Sequence, residues 1–172
     1  MRVRDADAVR DAAACAAIYA PYVTDSFISF EDRAPTAQEM QRRIESAHVW
    51  LIAEDGDAPI GYAYGAAHRE RAAYRWAADA AIYIDAGSHR AGVGRALYTS
   101  LFERLRGVGV WTVCAGVTEP NPASVGLHRA MGFVPVGTYR RIGWKLGAWR
   151  DVSWWQLDLR PGEPGPPAEL RR

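Results

Sequence analysis

The chain has 172 residues, of which 49% are hydrophobic and 24% are charged, and its formal net charge at pH 7 is +1. This composition excludes a disordered chain and provides no overall electrostatic attraction to nucleic acid. The length suits a single domain with a sizeable core.

The cysteines and histidines limit the chemistry to be expected. Cys15 and Cys114 lie far apart within apolar stretches, which indicates buried free thiols in a reducing compartment. The four histidines do not have metal-ligand spacing with one another or with a cysteine, so we expect no metal. No apolar run approaches the roughly 20 residues of a membrane span, and early acidic residues argue against a signal peptide. The sequence therefore predicts a cytoplasmic protein without a membrane partner.

The chain begins with a short predicted strand and a helix. Residues 3–4 form the strand, and either Asp5 or Asp7 can cap the helix that follows. Pro21 is expected to interrupt this helix, because proline lacks a backbone N–H. Residues 26–32, SFISFED, can form either a loop or a short strand.

A second helix and two strands come next. The string PTAQE, residues 35–39, is a capping box, and it begins a helix that continues through Ile44. Residues 49–53 are an apolar run typical of a buried strand, and the turn DGD, residues 55–57, follows them. Residues 60–65 form the next strand, so a hairpin is predicted here.

The next element is a strand that a glycine-containing loop links to an amphipathic helix. Residues 80–85 form the strand, after a basic loop at residues 68–76. The helix carries apolar residues at every fourth position, namely Val93, Leu97, Leu101 and Leu105. A strand, a glycine-containing loop and a helix N-terminus in this order can bind an anion such as a phosphate. The alternative interpretation is an ordinary strand–helix turn without a ligand. No P-loop string occurs, and Leu97 stands where the dinucleotide fingerprint requires glycine.

The remaining segments complete a mixed sheet. Residues 110–117 form a strand, and Asn121-Pro122 opens a helix that Gly132 closes. Two further strands are predicted at residues 133–139 and 152–159. The Pro/Gly-rich tail, residues 161–172, is expected to be disordered. The fold class is α/β, with a central, mostly antiparallel sheet of six to seven strands flanked by four helices.

Three strings show that the chain resembles a known family. They are IYIDAGSHRAGVGRALYTSLFERL, NPASVGLHRAMGF and GWKLGAWRDVSWWQLDL. Residues 1–160 resemble the GNAT superfamily of N-acetyltransferases, and within it the phosphinothricin/methionine-sulfoximine acetyltransferase branch. The resemblance implies a single GNAT-type domain that uses acetyl-CoA, acetylates a small-molecule amine and forms a homodimer.

The resemblance also implies a coenzyme site. Backbone N–H groups of the glycine loop would hold the phosphates, and the preceding strand would pair with the pantetheine arm. The implied contacts are Ile82, Tyr83, Ile84, His89, Arg90, Ala91, Gly92, Val93, Gly94, Arg95, Asn121 and Ser124. His89 departs from the family pattern, which has Gln or Arg there. Because imidazole also donates a hydrogen bond, we expect binding to survive.

The implied chemistry is attack by a neutral amine on a thioester, so the ammonium must lose a proton. Asp79 stands where relatives often have Glu, and it is the expected base, acting directly or through water. His128 is the expected acid for the departing sulfur or an additional base, and Tyr83 is expected to contact the substrate or the acetyl group. Each has a structural alternative, as a buried carboxylate, a core histidine or a packed ring.

The acceptor pocket implied by the resemblance suits a small amino acid or an analogue such as phosphinothricin or methionine sulfoximine. Its expected residues are Phe30, Glu31, Arg69, Arg71, Tyr74, Asp79, Ala80 and Ala81. The arginines would hold the acceptor carboxylate, although a basic run is also typical of a solvated loop. Four tryptophans, at 144, 149, 154 and 155, are expected in core and dimer contacts. The alternatives are another amine acceptor, such as a peptide N-terminus, polyamine or drug, and a noncatalytic acyl-CoA-binding module.

Overall fold

The computed structural model describes residues 1–88, 92–163, 165 and 167–171. The strands are β1 Arg2–Asp5, β2 Val49–Asp55, β3 Ala58–Ala67, β4 Ala77–Ile84, β5 Thr112–Glu119, β6 Val134–Lys145 and β7 Ala148–Asp158. The α-helices are α1 Ala8–Thr24, α2 Ala37–Ser46, α3 Val93–Val108 and α4 Pro122–Ala130. The seven described strands form one sheet in the order β1-β2-β3-β4-β5-β7-β6. Neighbouring strands are antiparallel except β4 and β5, which confirms the predicted mixed, mostly antiparallel sheet.

The first helix continues through the proline that was predicted to interrupt it. Asp7 is the N-cap, and its carboxylate accepts hydrogen bonds from two N–H groups of the first turn. Pro21 removes one helical donor, but Val23 beyond it is 1% exposed and packs in the core. Apolar burial therefore outweighs the lost hydrogen bond, and the predicted interruption is wrong.

The second helix begins at the predicted capping box. Thr36 Oγ1 accepts from the N–H of Glu39 at 3.2 Å, and the Glu39 carboxylate accepts from the N–H of Thr36 at 2.8 Å. Met40 and Ile44 point inward, with 1% and 8% of their surface exposed. The capping box thus fixes where α2 starts, and its two apolar residues dock it beside α1.

Each face of the sheet has its own hydrophobic core. Along β2 the side chains alternate between the two cores, with Leu51 in one and Trp50 and Ile52 in the other. The first core lies under α3, whose four predicted apolar residues are at most 2% exposed, namely Val93, Leu97, Leu101 and Leu105. The second lies under α1 and α2. The four-residue repeat of α3 is thereby confirmed.

The parallel strands β4 and β5 separate soon after they begin. Their pairing covers residues 77–79 of β4 and residues 112–114 of β5. Beyond that point β4 stays hydrogen-bonded to β3, and β5 stays hydrogen-bonded to β7. A gap therefore opens between residues 80–84 and residues 115–119, in the middle of the sheet.

The last two strands form a hairpin that is longer than predicted. The predicted strands at residues 133–139 and 152–159 leave out its distal half, which turns at Leu146 and Gly147 with φ of 49° and 71°. Both residues adopt the left-handed backbone conformation that a two-residue hairpin turn of type I′ requires. The distal half exposes large apolar side chains, namely Ile142 at 54%, Trp144 at 61%, Leu146 at 57% and Trp149 at 51%.

The C-terminal segment, for which the sequence predicts disorder, packs against the domain in its described residues. Trp76 Nε1 donates to the carbonyl of Ala168 at 2.8 Å. Leu170 contacts the core under α3, and the N–H of Arg171 donates to the carbonyl of Val108 at 2.8 Å. These contacts join the segment to the loop before β4 and to the end of α3.

The cysteines match the prediction of buried free thiols only in part, because Cys114 is not fully buried. Cys15 is buried, Cys114 is half-buried, and both are free thiols. Among the described helices, none combines the length and the apolar character needed to span a membrane.

Candidate active site

Two adjoining cavities occupy the gap between β4 and β5. The inner cavity, of about 360 Å³, is lined by residues 80–84, residues 116–118 and the start of α4. The outer cavity, of about 560 Å³, lies between β5, the β6–β7 hairpin and residues 28–31. Both cavities are lined by Ile28, Tyr83, Gly116 and Thr118. They are therefore two ends of one cleft.

The loop between α1 and α2 forms a wall of the outer cavity, and the hairpin holds it. Lys145 Nζ donates to the carbonyl of Glu31 at 2.5 Å. Gly143 lies against the ring of Phe30, because a Cβ added there would be 2.2 Å from Phe30 Cε2. The glycine at the start of GWKLGAW is therefore required for close approach of this ring.

Glu31 lines the outer cavity, as expected, and its carboxylate is fully paired. Arg43 donates to its two oxygens at 2.7 and 2.9 Å, and the Tyr19 hydroxyl donates at 3.0 Å. The hydrogen bonds from Arg43 lower the pKa of Glu31 against the opposing effect of burial. Glu31 is therefore held ionised and is a weak base.

Asp79 lies where β4 and β5 separate, and its partner is a histidine that the sequence analysis did not single out. His68 Nδ1 is 2.6 Å from Asp79 Oδ1, and the two side chains are 17% and 35% exposed. Burial raises the pKa of Asp79, although the hydrogen bond from His68 acts in the opposite direction. The raised pKa makes Asp79 a better proton acceptor than Glu31.

Cys114 lies beside this pair, across the β4–β5 ladder from Asp79. Donor atoms of His68, Asp79 and Cys114 all lie within 4.8 Å of one another. Two nitrogen or oxygen ligands of a tetrahedral zinc ion would be about 3.3 Å apart, whereas Nδ1 and Oδ1 are 2.6 Å apart. The distance is that of a hydrogen-bonded imidazole–carboxylate pair. Burial raises the pKa of the neighbouring Cys114 thiol.

His128 lines the inner cavity, and both of its ring nitrogens are engaged. Nδ1 is 2.7 Å from the carbonyl oxygen of Ser124, and Nε2 is 3.1 Å from the Tyr98 hydroxyl. A carbonyl can only accept, so Nδ1 carries the hydrogen and Nε2 accepts from Tyr98. The residue is 3% exposed, and burial lowers its pKa. The imidazole is therefore neutral and has no free nitrogen facing the cavity.

The first turn of α3 reaches the end of the inner cavity. Gly92 is its N-cap, with φ of 110°, a left-handed conformation that favours glycine. A Cβ on Gly94 would be 3.0 Å from Cδ2 of Leu127, which lines the inner cavity. Val93 is buried and Arg95 is exposed in the same turn. The predicted contacts at residues 89–91 lie outside the described residues.

The edge of β4 faces the inner cavity. The Tyr22 hydroxyl donates to the carbonyl of Ile84 at 2.6 Å and accepts from its N–H at 3.3 Å. Because backbone groups alternate in direction along an antiparallel strand, Ile82 and Ala80 also turn theirs toward the gap. Ala80 and Ala81 line the inner rather than the outer cavity.

Tyr83 and Asn121 present polar groups beside the cleft. The Tyr83 ring packs edge-on against Tyr19 and Tyr22, with centroid separations of 4.7 and 5.1 Å. Burial raises its pKa well above the usual value, so the hydroxyl stays protonated. Asn121 Oδ1 accepts from the N–H of Ser124 at 3.1 Å as the cap of α4. Its amide NH₂ therefore remains available as a donor.

The basic loop lies beside Asp79 rather than in the wall of the outer cavity. Arg69 donates to the carbonyl of His68 at 3.0 Å, and its charge favours the ionised form of Asp79. The Tyr74 ring is 5.8 Å from the His68 ring, measured between centroids. Arg71 is exposed and caps a short 3₁₀ helix through its backbone. Arg69 and Tyr74 are thus close to the Asp79–His68 pair, and Arg71 is at the surface.

Sequence reasoning missed His68 and Trp154. Trp154 lines the outer cavity, and its ring is 6.4 Å from the His68 ring. The β3–β4 register was the signal that could have found His68, because Ala66 lies opposite Asp79 and places the end of β3 beside it.

Comparisons with known proteins agree with this geometry. Residues 6–154 match a family model described as an acetyltransferase (GNAT) domain. The phosphinothricin N-acetyltransferase of Streptomyces viridochromogenes is 34% identical over 174 residues, which cover 99% of this chain and 93% of that protein. The L-methionine sulfoximine/L-methionine sulfone acetyltransferase of Pseudomonas paraeruginosa is 31% identical over 125 residues, covering 72% and 73%.

A solved structure shows the same architecture. The phosphinothricin acetyltransferase of Sinorhizobium meliloti in complex with AcCoA superposes with a TM-score of 0.91 at 32% identity. The alignment covers 98% of this chain and 93% of that one. With the split sheet and the matched sequence, these likenesses show that the chain belongs to the GNAT acetyltransferase family and is an acetyltransferase.

Proposed function

We propose that this acetyltransferase moves the acetyl group of acetyl-CoA to the free amino group of a small amino acid or analogue, of the phosphinothricin or methionine sulfoximine type. The observation that carries the proposal is the separation of β4 from β5, which opens one cleft with two ends. A thioester entering from one end can meet an amine entering from the other. The names of the relatives from Streptomyces and Pseudomonas support this class of acceptor.

The inner cavity suits the pantetheine arm of the coenzyme. Backbone groups of Ile82 and Ala80 can pair with its amides as an added strand would, and Asn121 can donate from the opposite wall. The pyrophosphate would lie at the N-terminus of α3, where the backbone N–H groups and the helix dipole favour an anion. Gly92, the N-cap, adds no side chain of its own at that end of the helix.

Asp79 is the carboxylate that we propose to serve in removing the proton of the acceptor ammonium. Its pKa is raised by burial, whereas the pKa of Glu31 is lowered by Arg43. Glu31 therefore acts in the wall of the acceptor pocket, together with Phe30. The separation of the two pKa values assigns the two carboxylates different roles.

For His128 the contacts favour a positioning role rather than direct proton transfer. Its ring orients the hydroxyl of Tyr98, and its Nδ1 is also 3.3 Å from Ser124 Oγ. Both hydroxyl-bearing residues line the inner cavity. The single hydroxyl hydrogen of Tyr98 is already donated to Nε2, whereas Ser124 Oγ can accept from Nδ1–H and keep its own hydrogen. We propose that the Ser124 hydroxyl, held by His128, donates to the departing sulfur.

Arg69 is the proposed partner of the acceptor carboxylate, since it lies beside Asp79 and is exposed. Arg69→Ala should raise KM for an amino acid far more than for its decarboxylated amine, because a charge-assisted hydrogen bond is worth about 1.5–3 kcal/mol. Arg71→Ala, two residues away at the surface, is the matched control. Equal losses for both compounds would show that Arg69 does not bind the carboxylate.

A thiol-release assay tests the function itself. Purified protein with acetyl-CoA is offered amino acids, phosphinothricin, methionine sulfoximine, a polyamine and a peptide with a free N-terminus. We expect the highest kcat/KM with an α-amino acid analogue. A higher kcat/KM with the polyamine or the peptide would still show acetyl transfer but would refute the proposed class of acceptor.

The distal half of the hairpin, residues 142–149, is the proposed homodimer contact. It exposes Ile142, Trp144, Leu146 and Trp149, and apolar patches of this kind mark interfaces. Trp149→Glu should convert a dimer to a monomer in sedimentation or light scattering. A wild-type protein that is monomeric at high micromolar concentration would refute the proposal.

A further inference from the structure

The contact between His68 and Asp79 defines the state of the imidazole. An ionised carboxylate only accepts hydrogen bonds, so the 2.6 Å contact between Nδ1 and Oδ1 places the hydrogen on Nδ1. Nε2 of the neutral ring then keeps its lone pair. The backbone N–H of His68 donates to the carbonyl of Ala77 at 3.2 Å, which holds the residue at the end of β3. The basic nitrogen is therefore Nε2, on the far side of the ring from Asp79.

Two aromatic rings contact the His68 ring, and one of them belongs to the wall of the outer cavity. The rings of Tyr74 and Trp154 contact it edge-on, with centroids 5.8 and 6.4 Å away. Trp154 itself lines the outer cavity. The His68 side chain is 17% exposed, so it is shielded from bulk water but open on one side. A base that contacts the wall of a cavity for an amine can take a proton from it through a water molecule.

We propose that His68 and Asp79 act as one proton-accepting unit, in which His68 Nε2 takes the proton of the acceptor ammonium, directly or through one water, while Asp79 holds Nδ1–H. This inference rests on the proposed function and deepens it, because the acceptor is the pair rather than Asp79 alone. No role for His68 was expected from the sequence. Asp79 in this arrangement is a positioning residue that acts through the imidazole.

The proton and electron balance of the step is complete with the two substrates and water. An N–H bond of the ammonium breaks as the Nε2–H bond forms, and the freed lone pair makes the C–N bond to the acetyl carbon. The C–S bond breaks, and its electron pair leaves with the sulfur. The second proton lost by the nitrogen ends on the sulfur, and the imidazolium returns its proton to water.

An imidazole matches this task better than an isolated carboxylate. Ordinary imidazole groups titrate near pH 6.5, carboxylates near pH 4 and α-amino groups near pH 8. Transfer is most efficient when the base titrates close to the working pH. Asp79 stabilises the imidazolium that forms, and Arg69 opposes it.

Further titratable groups lie near the pair, on the elements packed against it. They are Tyr64 on β3, Cys114 on β5 and Tyr74 in the basic loop. Burial raises the pKa of Tyr64 to about 12 and raises that of Cys114, so both are neutral at working pH. Of the groups named here, Asp79 and Arg69 carry the charges at neutral pH.

The first test replaces His68 by glutamine, whose amide can still donate to Asp79 but cannot accept a proton. We expect kcat at pH 7 to fall by about 10²-fold, with a smaller loss at high pH, where the amine is already neutral. KM for acetyl-CoA should not change. His48→Gln is the matched control, because His48 lines a separate cavity with Asp5 and Arg104. An active His68→Gln protein with an unchanged profile would overturn the inference.

Two further measurements separate proton transfer from a structural role. Added imidazole should raise the kcat of His68→Ala at least tenfold. If imidazole does not raise it although acetyl-CoA binding is intact, His68 and Asp79 do not form a proton-accepting pair. Nitrogen-15 NMR of the wild type should show His68 protonated at Nδ1 and bare at Nε2 near neutral pH, whereas an Nε2–H tautomer would overturn the assignment. Absence of thiol release from the wild type with every amine would instead refute the proposed function, and this inference with it.

Discussion

Replacing Gly143 by alanine tests whether the β6–β7 hairpin shapes the acceptor end of the cleft. The added Cβ would lie 2.2 Å from Cε2 and 2.5 Å from Cζ of Phe30, whereas ordinary contact begins at 3.4 Å. The ring must therefore retreat by about 1.2 Å. Phe30 is 40% exposed and can move toward solvent, while the backbone of β6 is tied to β7 opposite Arg150. The alanine is thus expected to move the ring and leave the sheet in place.

The size of the effect follows from this displacement. A misplacement of about 1 Å in a group that positions substrate can cost about 10²-fold in rate. We expect kcat/KM for the acceptor to fall about 10- to 100-fold, which corresponds to about 1.4–2.7 kcal/mol of transition-state stabilisation. KM for acetyl-CoA should not change, and the free energy of unfolding should stay within about 0.5 kcal/mol. Steady-state kinetics and urea titration measure these quantities.

The same strand supplies the control. Among the described residues, Gly137 has no atom within 4 Å of its added Cβ, so Gly137→Ala should behave as the wild type. In a Phe30→Ala background the Gly143→Ala change should have no further effect, because the ring that it displaces is gone. Two results would refute the reasoning. One is a kcat/KM for the acceptor that differs less than twofold between Gly143→Ala and Gly137→Ala. The other is a loss of kcat/KM on Gly143→Ala that persists in the Phe30→Ala background.

Three further expectations concern the coenzyme, the base and stability. Gly94→Val should weaken acetyl-CoA binding at least tenfold, about 1.4 kcal/mol. Gly107→Val in the same helix should leave the affinity unchanged, because no atom of the described part of the chain lies within 4 Å of a Cβ added there. Calorimetry measures both affinities. Asp79→Asn should lower kcat by about 10²–10⁴-fold, with a smaller loss at high pH, where the amine is already neutral, and Asp79→Glu should keep substantial activity in the same thiol-release assay. Hydrogen bonds from Arg4 and Arg10 lower the pKa of Asp11 despite its burial, so its contribution to stability is full above about pH 4 and is lost as the pH falls through its folded pKa. Asp11→Asn should therefore reduce the free energy of unfolding by about 3 kcal/mol at pH 7, and urea titrations should show this difference narrowing in acid.

Local signals in the sequence determined several elements without tertiary information. The capping box at Thr36 and Glu39 predicted the start of α2, and the four-residue apolar repeat predicted α3 and its buried face. These signals work because caps and helical periodicity depend on residues within one or two turns. The prediction at Pro21 failed because a contact distant in sequence, the packing of Val23 in the core, outweighed a local preference.

The tertiary structure alone decided how the candidate site is assembled. Asp79 could be singled out from the sequence, but its pairing with His68 depends on the register of β3 and β4. The lowered pKa of Glu31, which lies in a loop, depends on Arg43 of α2. The neutral, doubly engaged state of His128 likewise depends on Tyr98 from α3. Hydrogen bonds and burial set the protonation of these groups, and both depend on side chains that meet only when the sheet closes around the cleft. The sequence therefore determined where α2 and α3 begin and which residue of β4 carries a carboxylate. The folded sheet determined which side chains share a hydrogen bond with that carboxylate.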